Sequence, residues 1–339
     1  MLASIMKSLE TKLKNVTFIS KRSKPKPSIV YNTYWKFAAE RQRIFYDRIS
    51  NKQYPWSADI ILNNYKFTNV YRATDRVSQY LIKNIINNGS QSENELFFRI
   101  ILFKIFNRIE TWEYLEKSIG DISLKSYSYQ KFDKILSELV KNNIPIYSAA
   151  YIMASGKSYF GKERKYQNHL RLIEMMLREE VPRKLQECKT MLNAYNILLS
   201  YPTIGEFLAY QYITDINYSE LTNYSEMEFV KAGPGAKDGI LKCFSSFGDY
   251  SFEDIIRMIT ENQEVEFERL RLSFRGLWGR KLQLIDCQNI FCEVDKYARL
   301  VYPRIKGYSN RIRIKQKYIY SKKESIDFCF PRKWNIDID

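Results

Sequence analysis

The chain has 339 residues, 45% of them hydrophobic and 15% aromatic, too apolar for a disordered polypeptide and enough to fill a large core in one domain or two. Only 12 glycines and 9 prolines at this length exclude a loop-rich all-β protein and favour long helices. A net charge of +16, from 54 Lys and Arg against 38 Asp and Glu, attracts phosphate polymers; the alternative source of that charge is the general Lys, Asn, Ile and Tyr richness of an AT-rich genome.

Residues 1–20 read as a short helix, and "KRSKPKP" (Lys21–Pro27) as a basic, proline-punctuated linker, so 1–30 is set apart from the domain that follows. "YWKFAAERQRIFYDRI" (Tyr34–Ile49) carries one apolar stripe and predicts a helix. Phe67–Ile86 reads as one amphipathic helix, with Arg72, Asp75 and Arg76 at i, i+3 and i+4, either a salt-bridged surface set or a group facing a ligand. Glu93–Ile119 is too apolar for a surface helix, so its polar stripe of Lys104, Asn107, Arg108 and Thr111 must be paired or face a cavity. Further helices are expected at Tyr129–Lys141, Ser148–Met153, His169–Ser200 and Ile204–Tyr212.

"MEFVKAGPGAKDGI" (Met227–Ile240) holds three of the glycines. Ser225 with Glu228 makes a capping box for a short helix that stops at Gly233, and a second helix starts within a few residues. Helix, Gly-rich turn, helix is the outline of a helix-hairpin-helix, whose second helix can hold a DNA phosphate on its first N–H groups; an ordinary turn between helices is the other reading. The nucleotide-binding loop GxxxxGK[ST] is absent. "LQLIDCQNIFCEVDKYARL" (Leu282–Leu300) is a packed helix with Asp286 at its start, either an N-cap or a carboxylate held at the mouth of a pocket, followed by Gln288 and Asn289. From Arg299 to Lys323 there are nine Lys or Arg and no acid, and the alternation in Arg311–Ser321 suggests a small hairpin.

Five scattered cysteines make no CxxC and no zinc or iron–sulfur spacing, and His169 is the single histidine, so acid–base work would fall to carboxylates or a lysine. No apolar run reaches membrane-spanning length and the N-terminus lacks an apolar signal region, which predicts a cytoplasmic protein with no membrane role.

The Gly-x-Gly turn followed at a distance by an apolar-apolar-Asp helix start resembles helix-hairpin-helix DNA glycosylases. That resemblance implies that Gly233, Pro234 and Gly235 form the hairpin, that Asp286 is the catalytic carboxylate, and that Lys237 stands where bifunctional members carry a Schiff-base lysine. The gap between hairpin and aspartate is longer than in those enzymes, and "DCQN" replaces their Asp-Thr-His. A second resemblance covers Tyr31 to Arg299. "YWKFAAERQRIFYDR", "PWSADIILNNYKFTNVYRATDRVSQYLI", "FRIILFKIFNRIETW", "AGPGAKDGI" and "LQLIDCQNIFCEVDKYAR" are similar to the family known as α-glutamyl/putrescinyl-thymine pyrophosphorylase, or as the helical domain of 5-hydroxymethyl-dU DNA kinases. It implies work on hypermodified bases in phage-type DNA, either excision of a modified pyrimidine or construction of one.

The expectation is therefore an all-α, helix-hairpin-helix glycosylase-like domain over 31–300, with the hairpin at 227–242 and a small basic C-terminal extension at 301–339. Its expected partner is double-stranded DNA with modified bases, gripped by Lys231, Gly233, Gly235, Lys237, Arg304, Arg311 and Arg313, with no obligate protein partner. A pyrimidine such as glucosylated 5-hydroxymethylcytosine would flip into a pocket of Tyr34, Arg72, Asp75, Arg76, Asn107, Arg108, Gln288 and Asn289, and Asp286 would promote its excision in antiviral defence. No metal or redox cofactor is expected, with a monovalent cation at the hairpin left open. The alternatives are a transferase or pyrophosphorylase of the thymine hypermodification pathway and a non-catalytic binder of modified DNA.

Overall fold

The structure, a computed structural model, describes residues 22–320 and 327–338; the helix expected at 1–20 lies outside them. In chain order the helices are α1 (Tyr31–Ile49), α2 (Ile60–Asn64), α3 (Arg76–Tyr80), α4 (Glu93–Phe106), α5 (Ile109–Ile119), α6 (Tyr129–Lys141), α7 (Lys157–Phe160) and α8 (Lys165–Arg178). They continue with α9 (Val181–Glu187), α10 (Met191–Leu199), α11 (Glu206–Ile216), α12 (Pro234–Cys243), α13 (Phe252–Glu261), α14 (Gln263–Arg269) and α15 (Leu284–Val301). Two short strands, β1 (Lys26–Pro27) and β2 (Phe244–Ser246), pair antiparallel. The mostly helical class is as the composition predicts.

α4 runs through the core, with every residue from Leu96 to Phe106 buried, because its sequence offers no polar face wide enough for solvent. The single helix expected over Glu93–Ile119 breaks after Phe106. Asn107 takes the left-handed conformation (φ 48°), which asparagine tolerates better than most residues, and Arg108 is extended before α5 begins.

The helix expected over Phe67–Ile86 is also divided, into an irregular start, a 3-10 turn at Arg72–Thr74, α3, and a π-helical turn at Leu81–Ile86. Two side chains from elsewhere and one from within the segment take the main-chain groups that a regular helix would need. Arg41 donates to the carbonyls of Phe67 and Thr68, Glu293 accepts from Thr68 N–H, and Asp75 accepts from Asn69 N–H. Arg72, Asp75 and Arg76 consequently do not share one helical face: Arg72 is buried, while Arg76 is exposed beside Glu110 at 3.5 Å.

Between α11 and α12 the expected capping-box helix is replaced by a single turn at Ser225–Glu228. Arg257 draws off the carbonyls of Met227 and Glu228, and the Glu228 carboxylate turns to Met191 N–H instead of closing the box on Ser225. The turn at Gly233–Gly235 therefore has a helix on its C-terminal side only. α12 begins at Pro234, whose fixed φ and missing N–H suit a first helical position, with Gly233 as N-cap.

Among the described residues, α12 and α15 are the most closely packed helix pair. Gly239 makes this approach feasible, since a β-carbon there would collide with the backbone carbonyl of Phe291. Residues 148–153 are not helical, and the expected helix over His169–Ser200 is realised as α8, α9 and α10. The hairpin expected at Arg311–Ser321 is a single extended strap instead. It bridges Tyr65 through Lys66 N–H to Gln316 O (3.0 Å) and Tyr318 N–H to Asn64 O (2.9 Å). The last described segment returns to the 217–226 loop, where the Lys333 ammonium donates to the carbonyls of Ser219 and Thr222 and the Trp334 indole donates to Glu226. Among the described residues no helix is long and apolar enough to cross a membrane.

Candidate functional site

The Gly-Pro-Gly turn is wedged between one face of α11 and one face of α15. A β-carbon on Gly233 would lie 2.7 Å from the Phe207 ring, and one on Gly235 would lie 3.1 Å from Cys292 Sγ, so both glycines are there for close approach. Phe207 begins a stripe down α11 that continues with Gln211 and Asp215 at i+4 and i+8. Phe207 also stacks on Tyr151, with ring centroids 5.6 Å apart and planes within 6°. Tyr151 holds a left-handed backbone (φ 59°), unusual for an aromatic residue, which presents its ring to that stack.

Below these half-buried aromatic groups lie charges sealed from solvent. Arg72 forks onto Asp215 with bonds of 2.6 and 2.8 Å, and its Nε donates to Gln211 Oε1 at 3.2 Å. Lys104 sets its ammonium 3.0 Å from Asp215, donates to Asn107 Oδ1 at 2.6 Å, and lies 4.9 Å from the centre of the Tyr151 ring. Arg72 and Lys104 are each 3% exposed and Asp215 is 0% exposed, so two cations share one carboxylate out of reach of water. Burial opposes the charge on all three. It prevails at Lys104, whose pKa falls; at Asp215 the two cations outweigh it and hold the carboxylate ionised, and at Arg72 the carboxylate does the same for the guanidinium.

Asp286 ties this layer to α15. Its carboxylate accepts from Arg72 N–H (2.9 Å) and from Gln283 N–H (3.0 Å), the second closing a capping box at the third residue of the helix. Burial pushes its pKa up to about 7 against the pull of those two N–H donors. Asp75 is also pushed up to about 7 by burial and accepts from Asn69 N–H. Gln288 is buried one turn into α15, and its Nε2 faces Asn289 Oδ1 (3.4 Å) and Cys292 Sγ (3.9 Å).

The structure thus brings together Arg72, Asn107, Asp286, Gln288, Gly233 and Gly235, and leaves other expected residues apart. Tyr34 is fully buried, with its hydroxyl on Cys287 O and its ring 4.5 Å from that of Phe291, so it packs the core and offers no face to a ligand. Arg108 stands at the start of α5, 3.5 Å from Glu110. Lys231 pairs with Glu206 at 3.3 Å, and the Lys237 ammonium lies 5.7 Å from the centre of the Phe252 ring. Arg311 is tied to Asp238 at 3.2 Å, whereas Arg304 and Arg313 are exposed with no carboxylate partner among the described residues. The one histidine, His169, is held in the core between the Tyr147 hydroxyl and Ala154 O, and burial lowers its pKa to about 4.

Sequence patterns did not single out Tyr151, Phe207, Gln211 or Asp215. Gln211 and Asp215 are buried polar positions one turn apart in a mostly apolar helix, the same signal that marked Lys104 in α4 and Asn107 just after it.

A family model described as 5-hmdU DNA kinase, helical domain, matches residues 28–307. The 5-hmdU DNA kinase of Bacillus phage SP10 is 26% identical over 328 residues, covering 91% of this chain and 51% of that protein. The chain thus spans about half the length of that curated relative. No solved structure matches. These findings correct the expectation of a DNA glycosylase, a hydrolase that excises bases in antiviral defence: the matched proteins are named for phosphoryl transfer to DNA, which leaves the glycosidic bond in place. The reason for seeking a sugar-cation-stabilising carboxylate at Asp286 or a Schiff-base lysine at Lys237 falls with it.

Proposed function

The chain belongs to the 5-hmdU DNA kinase helical-domain family, and from that premise we propose that it is the DNA-handling part of a transferase in a pyrimidine-hypermodification pathway. It binds double-stranded DNA, draws out a nucleotide carrying a 5-hydroxymethylpyrimidine, and holds the 5-substituent for group transfer. The observation that carries this reading is the sealed pair of cations on Asp215 beneath the Tyr151–Phe207 stack, with the first turn of α12 packed against Phe207. Such a layer suits an extruded base. Drawing a base out of the duplex costs a few kcal/mol, and stacking on an aromatic ring returns about 1–3 kcal/mol.

In this reading the first N–H groups of α12 meet a DNA phosphate, as in the second half of a helix-hairpin-helix, with Lys237 beside them. The segment from residue 301 onward is an extension that adds phosphate contacts through Arg304 and Arg313.

Fluorescence anisotropy with matched duplexes tests the proposal. A duplex with 5-hydroxymethyluracil should bind more tightly than its thymine counterpart, and 2-aminopurine beside the modified base should brighten as the base leaves the stack. Equal affinity for the two duplexes would overturn it. Nucleoside mass spectrometry of the recovered DNA should show every base still on its sugar, and a changed 5-substituent would separate a transferase from a non-catalytic binder.

A further inference from the structure

Two buried glutamines at the site each keep one amide atom without a hydrogen-bond partner. Gln211 and Gln288 are both 1% exposed, and Gln211 Nε2 and Gln288 Oε1 are unpaired among the described residues. Buried polar groups are nearly always satisfied, so two such atoms in one region call for an explanation. Their positions supply one. Gln211 lies one helical turn from Phe207, the residue that touches Gly233, and Gln288 lies one turn from Cys292, the residue that touches Gly235. The glycine turn is therefore flanked on both helices by the same arrangement: a half-buried contact residue at the rim and a glutamine one turn away, sealed from solvent.

The two amides are oriented oppositely. Gln211 Oε1 is held by Arg72 Nε, which leaves its NH2 group as a free donor. Gln288 Nε2 is turned to Asn289 and Cys292, which leaves its carbonyl as a free acceptor. We propose that Gln211 and Gln288 read the base edge of the extruded nucleotide and select a uracil-type over a cytosine-type pyrimidine. This inference rests on the reading of the site given above.

The chemistry is that of two adjacent edge atoms. Gln211 sits with the Arg72–Asp215–Lys104 set, and if that set receives the 5-substituent, as the proposed function has it, the exocyclic group next to the substituent meets the free donor. In uracil this group is O4, an acceptor, and the neighbouring N3–H donates to Gln288 Oε1. In cytosine the group is an amino donor and N3 is an acceptor, so donor would face donor and acceptor would face acceptor. The excess positive charge beside Gln211 acts in the same direction, favouring the electron-rich O4 over the amino group.

The test is competition between duplexes that differ only in one base, 5-hydroxymethyluracil against 5-hydroxymethylcytosine, for the wild type and two variants. The wild type should prefer the uracil duplex by about tenfold or more, since a site built to hydrogen-bond an edge rejects one that leaves its groups unpaired. Gln288→Leu should lose most of that preference while keeping the salt dependence of binding. Its melting temperature should hold or rise, because the substitution removes an unsatisfied buried carbonyl, whereas a glutamine with a merely structural role would melt lower when replaced. Gln211→Glu, which exchanges the free donor for an acceptor, should shift preference toward the cytosine duplex.

A wild type that binds 5-hydroxymethyluracil over thymine but does not distinguish uracil from cytosine would overturn the base-reading assignment and leave the proposed function standing. A Gln288→Leu protein with undiminished preference would overturn it as well. A wild type with no preference for modified over unmodified DNA would instead overturn the proposed function itself.

Discussion

Among the described residues, Asp215 and Asp295 are buried carboxylates each shared by two cations that are themselves buried, and they have opposite surroundings. Asp215 holds Arg72 and Lys104; Asp295 holds Lys242, at 2.8 Å, and Arg299. In the second set the charged groups have further protein partners. Arg311, half exposed, lies 3.9 Å from Asp295 and 3.2 Å from Asp238, Lys242 also donates to Asp295 O, and Arg299 donates to Arg313 O. Asp238 further accepts from Ser309 N–H and Ser309 Oγ, and Gly307 lies so close that a β-carbon would be 2.6 Å from Asp238 Oδ1. That set fastens the basic strap to α12 and α15. The set on Asp215 opens instead onto an aromatic stack and an unpaired amide. Each set leaves one buried donor unpaired among the described residues, Arg299 Nε in the one and Gln211 Nε2 in the other, so what separates them is the neighbour: a strap of the chain against Asp295, an aromatic stack against Asp215.

The largest expected effect would make the two sets look alike. Asp215→Asn and Asp295→Asn each leave buried cations without a counter-charge and should cost about 3–5 kcal/mol in chemical denaturation. A much smaller loss at Asp215 would show that water reaches Lys104.

The pH dependence comes next. The carboxyl of Asp286 is raised in the folded protein, so the stability it contributes is fully present below its unfolded pKa of about 4 and is lost as pH rises through about 7. The advantage of the wild type over Asp286→Asn should therefore shrink by on the order of 4 kcal/mol between about pH 4 and above pH 7, read from denaturation midpoints. A constant difference across that window would mean that the two N–H donors keep Asp286 ionised throughout.

Asp238→Asn should cost about 1–2 kcal/mol by releasing the Ser309 and Arg311 contacts. Limited proteolysis should then cut near residues 307–311 of the variant before the wild type. The smallest change in stability distinguishes the two sets best. Lys104→Met leaves Arg72 paired with Asp215 and should cost less than about 1 kcal/mol, yet lower affinity for 5-hydroxymethyluracil DNA about tenfold, whereas Lys242→Met should leave that affinity at the wild-type level.

The regular parts of the fold were legible because their signals are local. Tyr129–Lys141 is a helix with the bounds its periodicity gave, α11 falls on the helix expected at Ile204–Tyr212 and runs on to Ile216, and α15 follows the stripe through Cys287, Phe291, Val294 and Ala298. Where the reading and the structure part, a distant side chain has taken a backbone group. Arg257 unmakes the helix before Gly233, while Arg41 and Glu293 shape the start of 67–86. No spacing rule within a segment records such partners. The same holds for the site. Arg72, Asn107 and Gln288 stood out as polar residues in apolar surroundings, whereas Tyr151 depends on a backbone conformation and Phe207 on a contact with a glycine 26 residues away in the chain (233 − 207).

Gly239 has a further consequence. With no side chain between α12 and the Phe291 carbonyl, the two helices interlock and neither can slide along the other. The glycine turn at one end of α12 and Gln288 on α15 are thereby kept at a constant separation, so the pair works as a gauge. If a phosphate sits on the turn and a base edge on the glutamine, the protein measures the distance from backbone to base, and the nucleic acid must be the partner that bends to fit.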